Sequence, residues 1–172
     1  MEKTTLAALD WKIAKGDNIS PNNKDAPHRS AINIRRRYQF SSALKRMSTV
    51  SSVTDSAGRK WVASVKGAPE TLKGMYNQVP AYYDETYRYY TRRGSRVLAL
   101  GTKVMNIQPE QVNHIVRDDV ECKLEFAGFL VFHCPLKEDA VDVLKMLADS
   151  SHRVSRLDVV VLGLTAVYHD HW

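Results

Sequence analysis

From Ile32 to Lys66 the chain alternates in a way that leaves few choices of fold. Tyr38 and Phe40 sit two apart in one strand-like run, and a second runs through Leu44 to Val50. Trp61, Ala63 and Val65 alternate in a third. A period of two places such residues on one face of a strand. Asp55-Ser-Ala-Gly-Arg59 separates the second run from the third, and a turn that short returns the chain antiparallel. Gly67-Ala-Pro-Glu70 then opens a helix: proline suits the first helical position, and an acid there faces the positive end of the dipole. Residues 80–93, rich in tyrosine and closed by Gly94, read as a second helix, 96–104 as a strand and 109–120 as a helix. Upstream, Leu6, Leu9 and Ile13 form the stripe of a helix over 2–13, and the polar stretch 16–27 reads as a surface loop. The expected class is α+β, a mostly antiparallel sheet with flanking helices.

The pattern changes near Cys122. Residues 124–132 are almost continuously apolar, which suits a strand buried on both faces of a parallel sheet. Residues 137–150 follow as an amphipathic helix carrying Val141, Leu144, Leu147 and Ala148 on one stripe, and 158–167 as a further strand. This β-α-β order predicts a different kind of domain. The expected division is 1–120 as one domain, 121–154 as a fragment of a second, and 155–172 as a divergent tail.

Composition excludes more than it assigns. The chain of 172 residues carries a net charge of +6. Arg29, Arg35, Arg36, Arg37, Lys45 and Arg46 fall between Ala26 and Thr54 without one acid, so that segment accounts for the excess. Such a field attracts phosphate, on a nucleotide, a nucleic acid or a lipid; equally, it can be a solvated strand face. On a regular strand Arg35 and Arg37 would share a face and Arg36 would take the other. No apolar stretch approaches the ~20 residues of a membrane-spanning helix, so no membrane segment is expected. The opening Met-Glu-Lys-Thr-Thr has no basic region followed by an apolar one, so no secretory leader is expected either. The two cysteines, Cys122 and Cys134, have neither zinc-ribbon spacing nor the number a disulfide framework needs, which fits a reducing compartment. Walker, dinucleotide-binding, nucleophile-elbow and His-Glu-x-x-His strings are absent. His169-Asp-His171 at the frayed end is no basis for a metal site, and none is expected.

Three short strings remain, in a telling order: Phe40-Ser-Ser-Ala-Leu-Lys45-Arg-Met47-Ser48, then Val65-Lys66-Gly67-Ala68-Pro69-Glu70, then Gly94-Ser-Arg96-Val-Leu-Ala-Leu100. Singly, each has a structural explanation, because core aromatics and solvated charges are common. Together, and over about residues 2–154, they resemble the nucleotide-binding domain of P-type ATPases. Leu-Lys-Arg-Met-Ser, Val-Lys-Gly-Ala-Pro-Glu-Thr-Leu and Cys134-Pro-Leu-Lys137 look most like the fifth class, A branch, of the endoplasmic reticulum. The resemblance implies ATP as ligand. Phe40 would stack on adenine, Met47 would close the apolar side, and Lys66 would lie deep in the pocket with Gly67 admitting the ligand. Lys45 and Arg96 would face the phosphates, and Glu2 the adenine amino group. It also implies, for a parent protein, a membrane-helix dislocase acting from the cytosolic face of the endoplasmic reticulum, with the parent's remaining domains as partners. The fragment by itself would be cytosolic.

The chain departs from the family pattern in one decisive respect. The Asp-Lys-Thr-Gly-Thr string that accepts the γ-phosphate is absent, as are the Thr-Gly-Asp-Asn and Gly-Asp-Gly-x-Asn-Asp strings associated with magnesium. No catalytic residue is therefore expected in these 172 residues, and magnesium belongs to the parent family. The alternative reading is a small basic nucleic-acid-binding protein using Arg35–Arg37 for backbone contact and Tyr82, Tyr83, Tyr87, Tyr89 and Tyr90 for stacking. No RNA-recognition string supports it, and the tyrosine spacing fits a helix face, so no nucleic-acid partner is expected.

Overall fold

The computed structural model describes residues 5–6, 8–23, 30–55, 58–133, 135 and 137–152. The chain divides into two compact units, Met1–His133 and Cys134–Trp172. Among the described residues the first unit holds a seven-stranded sheet: β1 (Trp11–Ile13), β2 (Asn18–Pro21), β3 (Ile32–Ser41), β4 (Arg46–Asp55), β5 (Gly58–Gly67), β6 (Arg96–Met105) and β7 (Glu125–Phe132). Spatial order equals sequence order, and every neighbouring pair is antiparallel. The expected α+β, antiparallel class is what forms.

The two faces of the sheet differ. Ser48, Val65 and Gly101 stand in one cross-strand row, and Val50, Ala63 and Lys103 in the next. On that side Val50, Trp61 and Ala63 are buried against Val112, Ile115 and Val120. Val65 and Ala99 are buried against Leu72, Tyr76, Tyr83 and Leu124. The helices α1 (Pro69–Leu72), α2 (Tyr83–Arg92) and α3 (Arg117–Val120) supply Leu72, Tyr83 and Val120 to this packed face. Tyr83 is fully buried, donates its hydroxyl proton to the Pro69 carbonyl at 2.8 Å, and sits 4.9 and 5.2 Å from the Phe129 and Phe126 rings. Such ring pairs add about 0.5–1.5 kcal/mol each beyond area burial. Burial pushes the Tyr83 phenol far above its ordinary value, and the Tyr76 phenol up to about 12.

Several expectations are corrected. Helical hydrogen bonding at the start reaches only Leu9; Asp10 takes φ 60° and the chain turns into β1, so 2–13 is not one helix. The stretch 16–27 is not all loop, because Asn18–Pro21 pairs with Trp11–Ile13. Residues 109–120 are broken into a 3-10 turn, Pro109–Asn113, and the short α3. The cause is visible on β3: Arg36 donates to the Asn113 carbonyl and Tyr38 to the Ile115 carbonyl, both acceptors a continuous helix would need.

The largest correction concerns β7. It is not a parallel-sheet strand of a second domain but the antiparallel partner of β6, inside the first compact unit, so the expected break after residue 120 falls within that unit. Its unbroken apolar run reflects a bulge. Leu100 faces Gly128 while Gly101 faces Phe126, leaving Ala127 extra, with Gly128 at φ 131°. Phe126 and Phe129, three apart, thereby reach the same aromatic cluster. In the second unit the expected helix forms as α4 (Ala140–Asp149). The strand proposed over 158–167, the tail 155–172, Cys134 and His169-Asp-His171 lie outside the described residues.

Candidate functional site

On the sheet's other face, Met47, Lys66 and Leu100 form one row, and Thr49, Ser64 and Thr102 the next. These six line a cavity of about 400 Å³, walled by Ile34 and Arg37 of β3, Ile13 and Ile19 of β1 and β2, and Ala127 of β7. Its character is mixed: an apolar floor, a rim of hydroxyls, one lysine, and Arg37, which is held by Asp17 at 2.6 Å.

Of the residues singled out from the sequence, the cavity brings together Met47 and Lys66. Phe40, Lys45, Gly67 and Arg96 do not line it, and Glu2 lies outside the described residues. Phe40 is nevertheless on the cavity's face, and a second bulge puts it there. Tyr38 is opposite Ser48 and Ser41 opposite Arg46, so three steps on β3 answer two on β4. Tyr38 points to the packed face, where its hydroxyl meets the Ile115 carbonyl at 2.6 Å. Ser41 shares the row of Arg46 and Gly67 on that face, which leaves Phe40 on the side of Met47 and Lys66. The shared face that Tyr38–Phe40 alternation implies is therefore absent, and Phe40 is 60% exposed.

Lys45 ends the turn between β3 and β4 at φ 51°. Its ammonium lies 4.0 Å from Glu70 Oε1, both groups exposed, a pairing worth little in water. Gly67 earns its place by packing rather than by lining the cavity. A Cβ there would stand 2.6 Å from Leu72 Cδ1 and 2.7 Å from Arg46 Cβ and the Lys45 carbonyl oxygen. Arg96 starts β6, exposed, on the face of Leu98 and Leu100; four strand steps put its Cα about 13 Å from that of Leu100.

Sequence reading missed the support beneath this row. Glu121, its side chain 1% exposed, accepts from Arg46 Nε at 2.5 Å, Arg117 Nε at 2.7 Å and Ser48 Oγ at 2.7 Å. Arg117 also donates to the Arg46 carbonyl, and Arg46 to the Leu44 carbonyl. Burial raises the Glu121 carboxyl's affinity for a proton. The bonds from Ser48, Arg46 and Arg117 outweigh it and hold the group below its ordinary value. Both neighbours of Met47 in the chain, Arg46 and Ser48, are thus clamped from the packed side. A buried acid after a short helix leaves no mark in a single sequence; only the register discloses it.

The residues of the nucleic-acid alternative are only partly available on one surface. A third bulge, between Ile34 and Arg36, disrupts alternation, so Arg35 faces a cavity with Ser52 and Trp61 while Arg37 lines the opposite one. The expected pairing of Arg35 with Arg37 on one face is corrected accordingly. Tyr83 is fully buried and Tyr87 packs on Phe129, whereas Tyr82, Tyr89 and Tyr90 are exposed. Among the described residues no helix is long and apolar enough to cross a membrane, and no group of three or more His, Cys, Asp or Glu could hold a metal.

No protein-family model matches the chain. It is 47% identical over 174 residues to the endoplasmic reticulum transmembrane helix translocase of Schizosaccharomyces pombe, and 43% over 172 residues to that of Saccharomyces cerevisiae. Each alignment takes in 98% of this chain. A probable manganese-transporting ATPase of Arabidopsis thaliana is 40% identical over 153 residues. The chain belongs to the P-type ATPases. Within them it goes with the endoplasmic-reticulum helix translocases of the fifth class, A branch, and it spans 14% and 13% of the length of the two yeast proteins. The three strings that carry the family resemblance fall on β3 to β4, on β5 to α1, and on β6, which are neighbours in the sheet.

Proposed function

We propose that residues up to His133 form the nucleotide-binding domain of a P-type ATPase and take ATP on the open face of the sheet. The observation that supports this reading is the bulge that leaves the exposed Phe40 on the face of the Met47–Lys66–Leu100 row. In this arrangement adenine stacks on Phe40, and Met47 and Leu100 supply the apolar contact. Lys66 supplies a cation at the cavity, while Lys45 and Arg96 offset the triphosphate without a glycine-rich loop. Gly67 acts indirectly, by letting α1 close on the Lys45 turn. Residues after His133 begin the next domain of the parent. That parent is an ATP-driven helix translocase of the endoplasmic-reticulum membrane that faces this domain to the cytosol and supplies the phosphorylated aspartate and the magnesium ligands elsewhere.

An open site with one stacking ring and two or three cations supports a dissociation constant of roughly 0.1 to a few mM. Titration of the chain with ATP, followed by backbone amide NMR, tests the reading. Shifts are expected along Phe40, Met47 and Lys66, with most affinity lost in Phe40→Ala and part of it in Lys66→Ala. Several mM ATP with no shift at these positions would sink the assignment.

A further inference from the structure

A second cavity, of about 520 Å³, opens on the packed side of the sheet at the far end of the β3–β5 hairpins. Arg35, Arg59, Ser30, Ser52, Thr54 and Trp61 line it, and no carboxylate does. Three features set it apart from a solvated basic surface. The bulge between Ile34 and Arg36 uses an extra residue to turn Arg35 out of the strict alternation and into this cavity. Its two neighbours in the arginine run are engaged, Arg36 with Tyr38 and the Asn113 carbonyl, Arg37 with Asp17, whereas Arg35 and Arg59 have no hydrogen-bond or ion-pair partner among the described residues. The floor is packed: Trp61 is only 7% exposed and belongs to the core cluster, and Asn33 donates a side-chain bond to Asn18.

We infer that this cavity is a second anion site, taking a phosphate group, free or esterified, between the guanidinium groups of Arg35 and Arg59 with the Ser52 and Thr54 hydroxyls as further donors. Two unpaired guanidinium groups offer planar, multiply donating surfaces that match phosphate oxygens, and no acid on the lining competes for them. Arg35 and Arg37 lie on opposite faces, and the two cavities have only Asn18 in common, so the proposal does not depend on the nucleotide reading.

The test titrates the full chain with inorganic phosphate and with pyrophosphate against sodium chloride of matched ionic strength, read by amide and indole NMR. Saturable shifts are expected at Ser52, Thr54, Arg59 and the Trp61 indole. Arg35→Ala and Arg59→Ala should each weaken binding about three- to tenfold, while Arg88→Ala, an equal loss of charge on α2, leaves it unchanged. Co-sedimentation with phosphatidylcholine vesicles, with and without a phosphatidylinositol phosphate, separates the sources. Capture by the phosphoinositide vesicles that Arg35→Ala abolishes assigns a lipid headgroup, and phosphate binding without capture assigns a soluble phosphate. Shifts reproduced by chloride, or equal loss in Arg88→Ala, would overturn the proposal. ATP perturbing these residues while leaving Met47 and Lys66 silent would support this site and overturn the nucleotide reading instead.

Discussion

Replacing Glu121 by glutamine tests how the site is held up. The substitution keeps the shape of a side chain that is 1% exposed but removes the charge that two guanidinium groups share. A buried hydrogen bond to a charged partner contributes about 1.5–3 kcal/mol and a neutral one about 0.5–1.5. Losing the charge at both arginines therefore costs about 2 kcal/mol. The glutamine amide must also turn one N–H group toward a donor, which adds to the loss. Glu121→Ala, which deletes the acceptor, should cost about 3–5 kcal/mol, because Arg46 and Arg117 then lie partly buried without a counter-charge. The pH dependence gives the sharper readout. The folded-state carboxyl is held below its ordinary value, so its contribution is complete at neutral pH, above the unfolded value of about 4.3, and is lost as pH falls through the folded value. Urea denaturation followed by circular dichroism at pH 7, 5 and 3 should show the gap between the native chain and Glu121→Gln shrinking in acid. A gap of the same size at pH 7 and pH 3, or no gap at pH 7, would refute the charge argument.

Gly67→Ala should destabilise the fold by about 1–3 kcal/mol, since the new methyl meets Arg46 Cβ and the Lys45 carbonyl, which are backbone or beside it and cannot swing away. Thermal melts should show the loss, and ATP titrations on the folded fraction should show weakened binding through a displaced Lys45 turn; unchanged melting would contradict the packing account. A polypeptide ending at Val120 should not fold, because it lacks Glu121, the fully buried Leu124 and all of β7, whereas one ending at His133 should give a dispersed NMR spectrum and a cooperative transition. A well-folded shorter polypeptide would restore a domain break before Cys122.

How much of this was readable from residues alone depends on whether local rules or register decided the matter. The hairpin of β4 and β5, the proline-started α1 and the Gly94 stop at φ 79° follow from nearest neighbours, and the sequence predicts them. The helix expected over 109–120 failed because acceptors at Asn113 and Ile115 are claimed by residues 77 positions away, beyond any window of pattern. The parallel strand expected over 124–132 failed for a related reason. A bulge and a strand buried on both faces leave the same trace, an apolar run without alternation, and only pairing tells them apart. Of the residues lining the cavity, the family resemblance singled out Met47 and Lys66, while Leu100, Thr49, Ser64 and Thr102 join them through cross-strand neighbours that no short motif spells out.

The bulges also explain why a strand as regular in appearance as 32–41 can serve two surfaces. An unbroken β3 would send Arg35 and Arg37 to one face and bring Phe40 round to the face of Tyr38, among groups already packed against Ile115. One extra residue at Arg35 separates the two arginines, and another between Tyr38 and Ser41 carries Phe40 back to the open side. Each irregularity forfeits ladder hydrogen bonds, yet Tyr38 keeps its buried hydroxyl bond and the flanking pairs Ile34–Ser51 and Tyr38–Ser48 stay in register. The cost is thus confined to two short gaps in a ten-residue strand, and what it changes is direction alone. Phe40 comes to the face that carries Met47 and Lys66, and Arg35 to the cavity that Arg59 also lines on the other side. Residue identities set what each cavity can offer a ligand, but the two interruptions in pairing decide which face each residue serves.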